Sequence, residues 1–499
     1  MSTERQVLQE DYIWKTDPYD HQREVFLRSR HLSEFALLMG MGTGKTKVSL
    51  DTAAYNYQHG TIDFLVVIAP NGVHRNWVSR EIPAHLPEWT NYRAAVWASY
   101  MKKKENQEVE DLFDLEFTGL RILALNIEAF KDSTTCKAAR IVRKICNAFK
   151  VMMVIDESSK IKTPGAKRTK ALITLGKHAT LRRILTGTPV TNSPLDIFSQ
   201  FRFLGSALGF DNFYSFKHYF AEWEQEKNWK TGQRYEVCKG FRNLNELTDI
   251  IDEHGYRITK EECLDLPDKI YQTRYVELST KQRKAYNDIA ERSLIELEDG
   301  EELSVANVLT RALRLQQIVG GFLPKEEFAP AMAIEDKNSR IDCLMDILEE
   351  AEGKIIIWAR FRAELAAIED AVRKEYGRES IVSYHGGVSR EDREISMDTF
   401  QDPNSVVRYF VGQQHSGGYG LTLHAATTVI YFSNDFSLEA RLQSEDRAHR
   451  IGQHHPVLYI DLECLGTIDT KIIHALRDKK SLADLITRDS VRLLLARAA

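Results

Sequence analysis

Residues 35–50 read FALLMGMGTGKTKVSL. FALLMG (35–40) is apolar enough for a strand, and KVSLDTAAYNY from Lys47 onward suits a helix. Between them lies a glycine-rich turn that ends in Gly44-Lys45-Thr46. Strand, glycine turn, GKT and helix, in that order, form the context in which a phosphate loop works. Glycines let backbone N–H groups converge on phosphate oxygens, aided by the N-terminus of the following helix. Lys45 would then reach the β- and γ-phosphates, and the Thr46 hydroxyl would hold Mg²⁺. The strict spacing G-x-x-x-x-G-K-[ST] asks for glycine at 39, where Met39 stands. On this stretch alone a plain glycine turn before a helix therefore stays open.

VMMVIDESSK (151–160) narrows the choice. An apolar strand ending in Asp-Glu places carboxylates at a sheet edge, where Asp156 can organise the Mg²⁺ shell and Glu157 can orient and deprotonate a water. RRILTGTPVTNS (182–193) is a further strand running into hydroxyls that can connect the carboxylates to a neighbouring segment. In QSEDRAHRIGQ (443–453), helical spacing predicts Gln443, Asp446 or Arg447, and Arg450 on one surface. Two arginines there can stabilise charge developing on a γ-phosphoryl group. The glycines of SGGYGLTLHAA (416–426), Gly420 among them, lie just upstream.

Short aliphatic runs recur along the chain. FLVVIA (64–69), ILALN (122–126), VMMVID (151–156) and RRILTGT (182–188) form one series. KIIIWA (354–359), IVSYHG (381–386), VVRYFVG (406–412), TVIYFS (428–433) and VLYIDLE (457–463) form a second. Such near-continuous runs predict strands buried on both faces. Helix-like stretches lie between them; in 361–376, Leu365, Ile368 and Val372 share one face. The expectation is an α/β chain of two parallel-sheet lobes, 1–266 and 267–499, with helical insertions at about 205–250 and about 280–330 and helices at the C-terminus.

Composition bounds the rest. The 499 residues, 43% hydrophobic and 28% charged, fit a soluble chain with a sizeable core. No run approaches the ~18 apolar residues of a membrane span. MSTERQVLQEDYIWK lacks the apolar centre of a secretory signal. Six cysteines without C-x-x-C spacing argue against structural zinc and suit a reducing cytoplasm. A net charge of −5 excludes a uniformly basic coat but leaves room for a local basic groove.

Taken in order, these motifs resemble a superfamily 2 helicase-type motor, specifically the Swi/Snf-like ATPases. DHQREVF (20–26) resembles the glutamine motif that reads adenine through Gln22. MGTGKT (41–46), with Gly42, Thr43, Gly44, Lys45 and Thr46 at the nucleotide, IDES (155–158), LTGTPVTNS (185–193) and QSEDRAHRIGQ (443–453) resemble motifs I, II, III and VI. VIAPNGVHRNW (67–77) resembles the segment that meets the DNA backbone, YRITKEECLDLP (256–267) the link out of the first lobe, and YHGGVSREDR (384–393) a second-lobe motif. GLTLHAA (420–426) leans toward the distant branch that includes annealing helicases.

The resemblance implies two RecA-like lobes with ATP and Mg²⁺ in a cleft between them, Arg447 and Arg450 on the phosphates, and double-stranded or branched DNA as the track. It also implies phosphate contacts, for which the sequence offers Arg75, Asn76, Trp77, Lys160, Lys162, Lys167, Arg168, Lys170, Arg360, Arg362, Gln414 and His415. Three departures stand out: Met39-Gly40 where the family has Asp-Glu, Ser159 where it has a histidine or similar residue, and Gln414-His415 in place of Thr-Arg. A monomeric, cytoplasmic motor of compact bacterial or phage type, without a histone-reading module, is expected. A strand-separating DNA or RNA helicase is the alternative, and a non-catalytic scaffold or a phosphate-loop kinase stands further off.

Overall fold

Among the described residues, nine strands belong to the first half of the chain: β1 (Glu34–Met39), β2 (Phe64–Ala69), β3 (Tyr92–Trp97), β4 (Leu120–Asn126), β5 (Val151–Asp156), β6 (Leu181–Leu185), β7 (Ala221–Lys227), β8 (Arg234–Phe241) and β9 (Gly255–Ile258). The computed structural model describes residues 12–130, 135–190, 193–227, 232–298, 305–323, 332–415 and 421–478. The chain divides into two units, Met1–Leu264 and Asp265–Ala499.

In the first unit seven strands form one sheet in the order β3-β4-β2-β5-β6-β1-β9. Every pairing in it is parallel. Successive residues of a strand point to opposite faces. Met153 and Ile155 thus join the core on one side of the sheet, while Met152 and Val154 join the core on the other. Both faces are covered, which is why β2 and β5 read as unbroken apolar runs. Because the strands are parallel, the ends of β1, β6 and β5, three neighbours, lie at the same sheet edge.

Three departures from the sequence expectation occur here. The helix after the glycine turn begins at Lys45 and runs to Gln58. The insertion expected to be helical at 205–250 holds helices Phe213–Phe220 and Leu244–His254 but also an antiparallel hairpin, β7 with β8. The strands β3 and β9, both at sheet edges, were not anticipated.

The second unit holds β10 (Lys269–Val276), β11 (Phe322–Leu323), β12 (Met332–Ala333), β13 (Lys354–Trp358), β14 (Ile381–Tyr384), β15 (Tyr409–Gly412), β16 (Ala426–Tyr431) and β17 (Val457–Cys464). Six of them form a sheet in the order β10-β17-β16-β13-β15-β14, again paired parallel throughout. Ile355 and Ile357 enter one core, Ile356 and Trp358 the other. Helix Arg362–Tyr376 buries Leu365, Ile368 and Val372, the face expected from their spacing. Helices Thr280–Glu298 and Val305–Val319 occupy the second insertion and add Tyr286, Leu315 and Ile318 to the core. No helix among the described residues is long and apolar enough to cross a membrane.

Candidate nucleotide site and its supports

The turn after β1 is shaped by two glycines with positive φ, Gly42 at 76° and Gly44 at 91°. Gly44 is required twice over. Its φ disfavours any L side chain, and a Cβ there would lie 2.2 Å from Gln22 Nε2. That nitrogen donates to the Thr43 carbonyl at 3.0 Å, while Gln22 Oε1 accepts from Tyr19 N at 3.2 Å. His21 Nε2 lies 2.8 Å from the same Thr43 carbonyl. Helix Asp20–Ser29 is therefore fastened to the turn through Gln22 and His21. Lys45 Nζ donates to the carbonyls of Met39 (2.8 Å) and Gly40 (3.0 Å), curling back over the turn. Thr46, half-buried, follows it in the first turn of the helix.

Asp156 ends β5 and is buried. Its Oδ2 accepts the indole N–H of Trp77 at 2.9 Å, and its Oδ1 accepts the Glu157 amide at 2.9 Å. Burial pushes its proton affinity up, against the opposing pull of the Trp77 N–H, the Lys45 charge and the Glu157 amide. Glu157 adopts the left-handed conformation, φ 51° and ψ 57°. Such a conformation costs a non-glycine residue on the order of 1–3 kcal/mol, and residues held so cluster at functional sites.

Two contacts join the neighbouring strand ends. A Cβ on Gly187, after β6, would lie 3.2 Å from Met41 N, so that turn abuts the glycine turn of β1. Ser158 Oγ donates to Gln200 Oε1 at 2.6 Å, and Gln200 Nε2 donates to the Pro189 carbonyl at 2.7 Å. Gln200 thereby links the IDES segment to the TGTP turn. It was missed from sequence, although a glutamine inside the run IFSQFRFL must be hydrogen-bonded once buried.

Trp77 is corrected most sharply. Expected to meet DNA, it is 1% exposed and packs in the core with Ile82, so no phosphate reaches it. Arg75 and Asn76 just before it are half-buried, and Arg75 Nη1 lies 3.4 Å from Glu105. Lys160 and Lys162 are half-buried, the latter 3.8 Å from Asp196.

In the second unit, helix Leu438–Glu445 ends before Asp446, and residues 446–450 follow as a turn and a bend. The helical surface expected for Gln443, Arg447 and Arg450 is thus not formed. Gln443 is buried and donates to Glu439 at 3.1 Å. Arg447 and Arg450 are instead brought together by a shared acceptor, the Leu421 carbonyl, at 3.2 and 2.9 Å. Gly420 lies outside the described residues.

The helix is anchored by Arg441, which sequence reasoning passed over. Its guanidinium reaches Asp461 at 2.5 Å, Asn434 at 2.7 Å and Glu445 at 2.8 Å, and lies 3.5 Å from the Tyr431 ring centre. A charged Asp461 inside the apolar strand VLYIDLEC was the available signal, since a buried charge needs a partner.

The strand ends of β13, β15 and β16 meet at Asp435. Its amide donates to Gln414 Oε1 at 2.7 Å, and its carboxylate faces Arg360 at 3.6 Å and His415 at 3.0 Å. Burial opposes that charge, but His415 and Arg360 outweigh it and hold the carboxyl below its usual range. Gln414, 2% exposed, is a buried brace and not a DNA contact. Arg362 and His415 are exposed, and Arg360 is half-buried over the Phe436 ring at 3.9 Å.

Against this geometry, residues 25–320 match the SNF2-related domain and residues 339–452 the helicase conserved C-terminal domain. The chain belongs to the SNF2-related family. It is similar to the CHD3-type chromatin-remodeling factor PICKLE of Arabidopsis thaliana, 26% identical over 94% of this chain and 34% of that protein. It is also similar to an uncharacterized ATP-dependent helicase of Mycoplasma pneumoniae, 26% identical over 93% of this chain and 41% of that protein. A Sulfolobus solfataricus SWI2/SNF2 ATPase core solved in complex with dsDNA is 25% identical, covering 99% of this chain and 100% of that chain, with a TM-score of 0.42. The chain thus spans only 34% and 41% of the two curated relatives.

Proposed function

We propose that this protein is an ATPase stimulated by DNA, and that it uses hydrolysis to move along double-stranded or branched DNA. The observation that carries the reading is the set of groups at one sheet edge of an SNF2-related chain: the Lys45 amine on the loop, the buried Asp156 carboxylate and the strained Glu157. The donor chemistry fits magnesium, which takes carboxylate and hydroxyl oxygens together with phosphates. Thr46 and Asp156 would hold it, and the ion would spread charge on the phosphate oxygens.

In this reading the Gly42–Thr46 backbone binds the β- and γ-phosphates, and Lys45 leaves the Met39 and Gly40 carbonyls to meet them. Glu157 orients the attacking water and takes its proton. Arg447 and Arg450 are the candidates for the positive charge that turnover needs at the γ-phosphate. Arg75, Asn76, Lys160, Lys162, Arg360, Arg362 and His415 remain candidate phosphate contacts, so DNA binding should be salt-sensitive and largely sequence-independent. GLTLHAA (420–426) favours the annealing-helicase-like branch, and a compact bacterial or phage motor acting in the cytoplasm fits the same reading.

Triplex displacement tests translocation. ATP-dependent release of a third strand, with a plain fork left paired, is the expected result. Fork unwinding with no triplex release would replace the translocase by a strand-separating helicase.

A further inference from the structure

Trp77 occupies an unusual place. It is among the largest fully buried side chains, and it opens a five-residue π-helical turn, Trp77–Glu81, set between the short helices Val73–Asn76 and Ile82–His85. A π turn carries one residue too many for the α ladder and frequently marks a functional site. Arg75 and Asn76 lie immediately before it, at the end of the helix that follows β2. Because β2 pairs with β5, that helix starts beside the strand end that carries Asp156.

A core position that needed only volume would accept phenylalanine. A buried indole N–H usually takes an acceptor, and phenylalanine would leave that acceptor unmet. Here the acceptor is Asp156 Oδ2, at 2.9 Å. The Glu157 amide holds Oδ1 at the same length, so the carboxylate is fixed from two sides and its remaining lone pairs are aimed.

We propose that Trp77 is a positioning residue that links the segment carrying Arg75 and Asn76 to the Asp156 carboxylate, so that a DNA backbone seated on that segment sets the geometry of the magnesium ligand. The proposal rests on the ATPase reading above. DNA contact shifts the segment, the π turn takes up the register change, and the indole carries the movement to Asp156.

The experiment has two arms. In the wild-type protein, ¹⁵N-labelled indole N–H resonances of the seven tryptophans are recorded with Mg²⁺–ADP and, separately, with duplex DNA. Trp77→Phe assigns the Trp77 signal and removes the donor. The Trp77 resonance is expected to move with either addition. In the variant the ratio of DNA-stimulated to basal turnover is expected to fall about tenfold or more, and the Mg²⁺ concentration for half-maximal turnover to rise, with duplex affinity little changed. A stationary Trp77 resonance, or a wild-type stimulation ratio in the variant, overturns the linkage while leaving the ATPase reading intact. A wild-type protein that no nucleic acid stimulates overturns both. Should Trp77→Phe fail to fold, replacing each of the other six tryptophans by phenylalanine assigns the Trp77 signal by elimination, and the resonance arm still decides.

Discussion

Replacing Gly44 by alanine tests how the glycine turn is held, and the structure sets the size of the effect. The left-handed φ of 91° costs an L residue about 1–2 kcal/mol. The new Cβ would also stand 2.2 Å from Gln22 Nε2 and 2.9 Å from its Cδ. Gln22 must therefore swing away and give up its bond to the Thr43 carbonyl, worth about 0.5–1.5 kcal/mol. Together these reach about 2–3 kcal/mol, which weakens nucleotide binding roughly 30- to 150-fold. All three close approaches come from Gln22 alone. Removing Gln22 should thus cost much less in the Gly44→Ala background than in the wild type. Fluorescent-nucleotide titrations of wild type, Gly44→Ala, Gln22→Ala and the double variant close a thermodynamic cycle with an expected coupling of about 1 kcal/mol. Additive costs would refute the claim that Gln22 and Gly44 pack as one unit.

Further outcomes are expected. Glu157→Gln should bind ATP with near wild-type affinity and lose at least about 100-fold in turnover; unchanged hydrolysis removes Glu157 as the base. Arg441→Ala takes the nearest cation from buried Asp461, which keeps the Asn434 amide at 2.8 Å and Arg477 at 3.9 Å, while Glu445 keeps Lys269 at 3.1 Å; it should cost the second unit about 3 kcal/mol, read as earlier urea unfolding, and an unchanged midpoint contradicts the anchoring role. Asp51, buried against Tyr12 and Lys47, has its carboxyl pushed up by burial to about 6, from 3.8. Its folded pKa exceeds the unfolded one, so its contribution to stability is lost as pH rises from about 4 through 6. Relative to Asp51→Asn, the wild type should therefore lose about 1 kcal/mol between pH 5 and pH 7. A pH-independent difference in unfolding would contradict this.

How much was legible in the sequence follows from burial. β2, β5, β13 and β16 were readable because both faces of each strand are covered, leaving apolar runs. β3 and β10 sit at sheet edges with mixed exposure, and their arginines, tyrosines and threonine broke the pattern. The hairpin strand AEWEQEK hides behind its charges because one face is solvated. The placement of Lys45, Asp156 and Glu157 on a loop and a strand end of one sheet was legible from local order alone, since such an end fixes where these groups stand. Trp77 and Gln414 were misplaced for the opposite reason. Their polar atoms suggest a surface contact, and only tertiary packing shows them turned inward to Asp156 and Asp435. The turn holding Arg447 and Arg450 was likewise beyond reach, because the Leu421 carbonyl that gathers them lies 26 and 29 residues away.

The central claim is best tested by ATP turnover measured side by side without nucleic acid and with duplex DNA, forked DNA, single-stranded DNA and RNA. Strong stimulation by duplex and forked DNA, weak stimulation by single strands and RNA, and loss of all turnover in Lys45→Ala is the predicted result. Turnover that none of these nucleic acids changes would contradict the account.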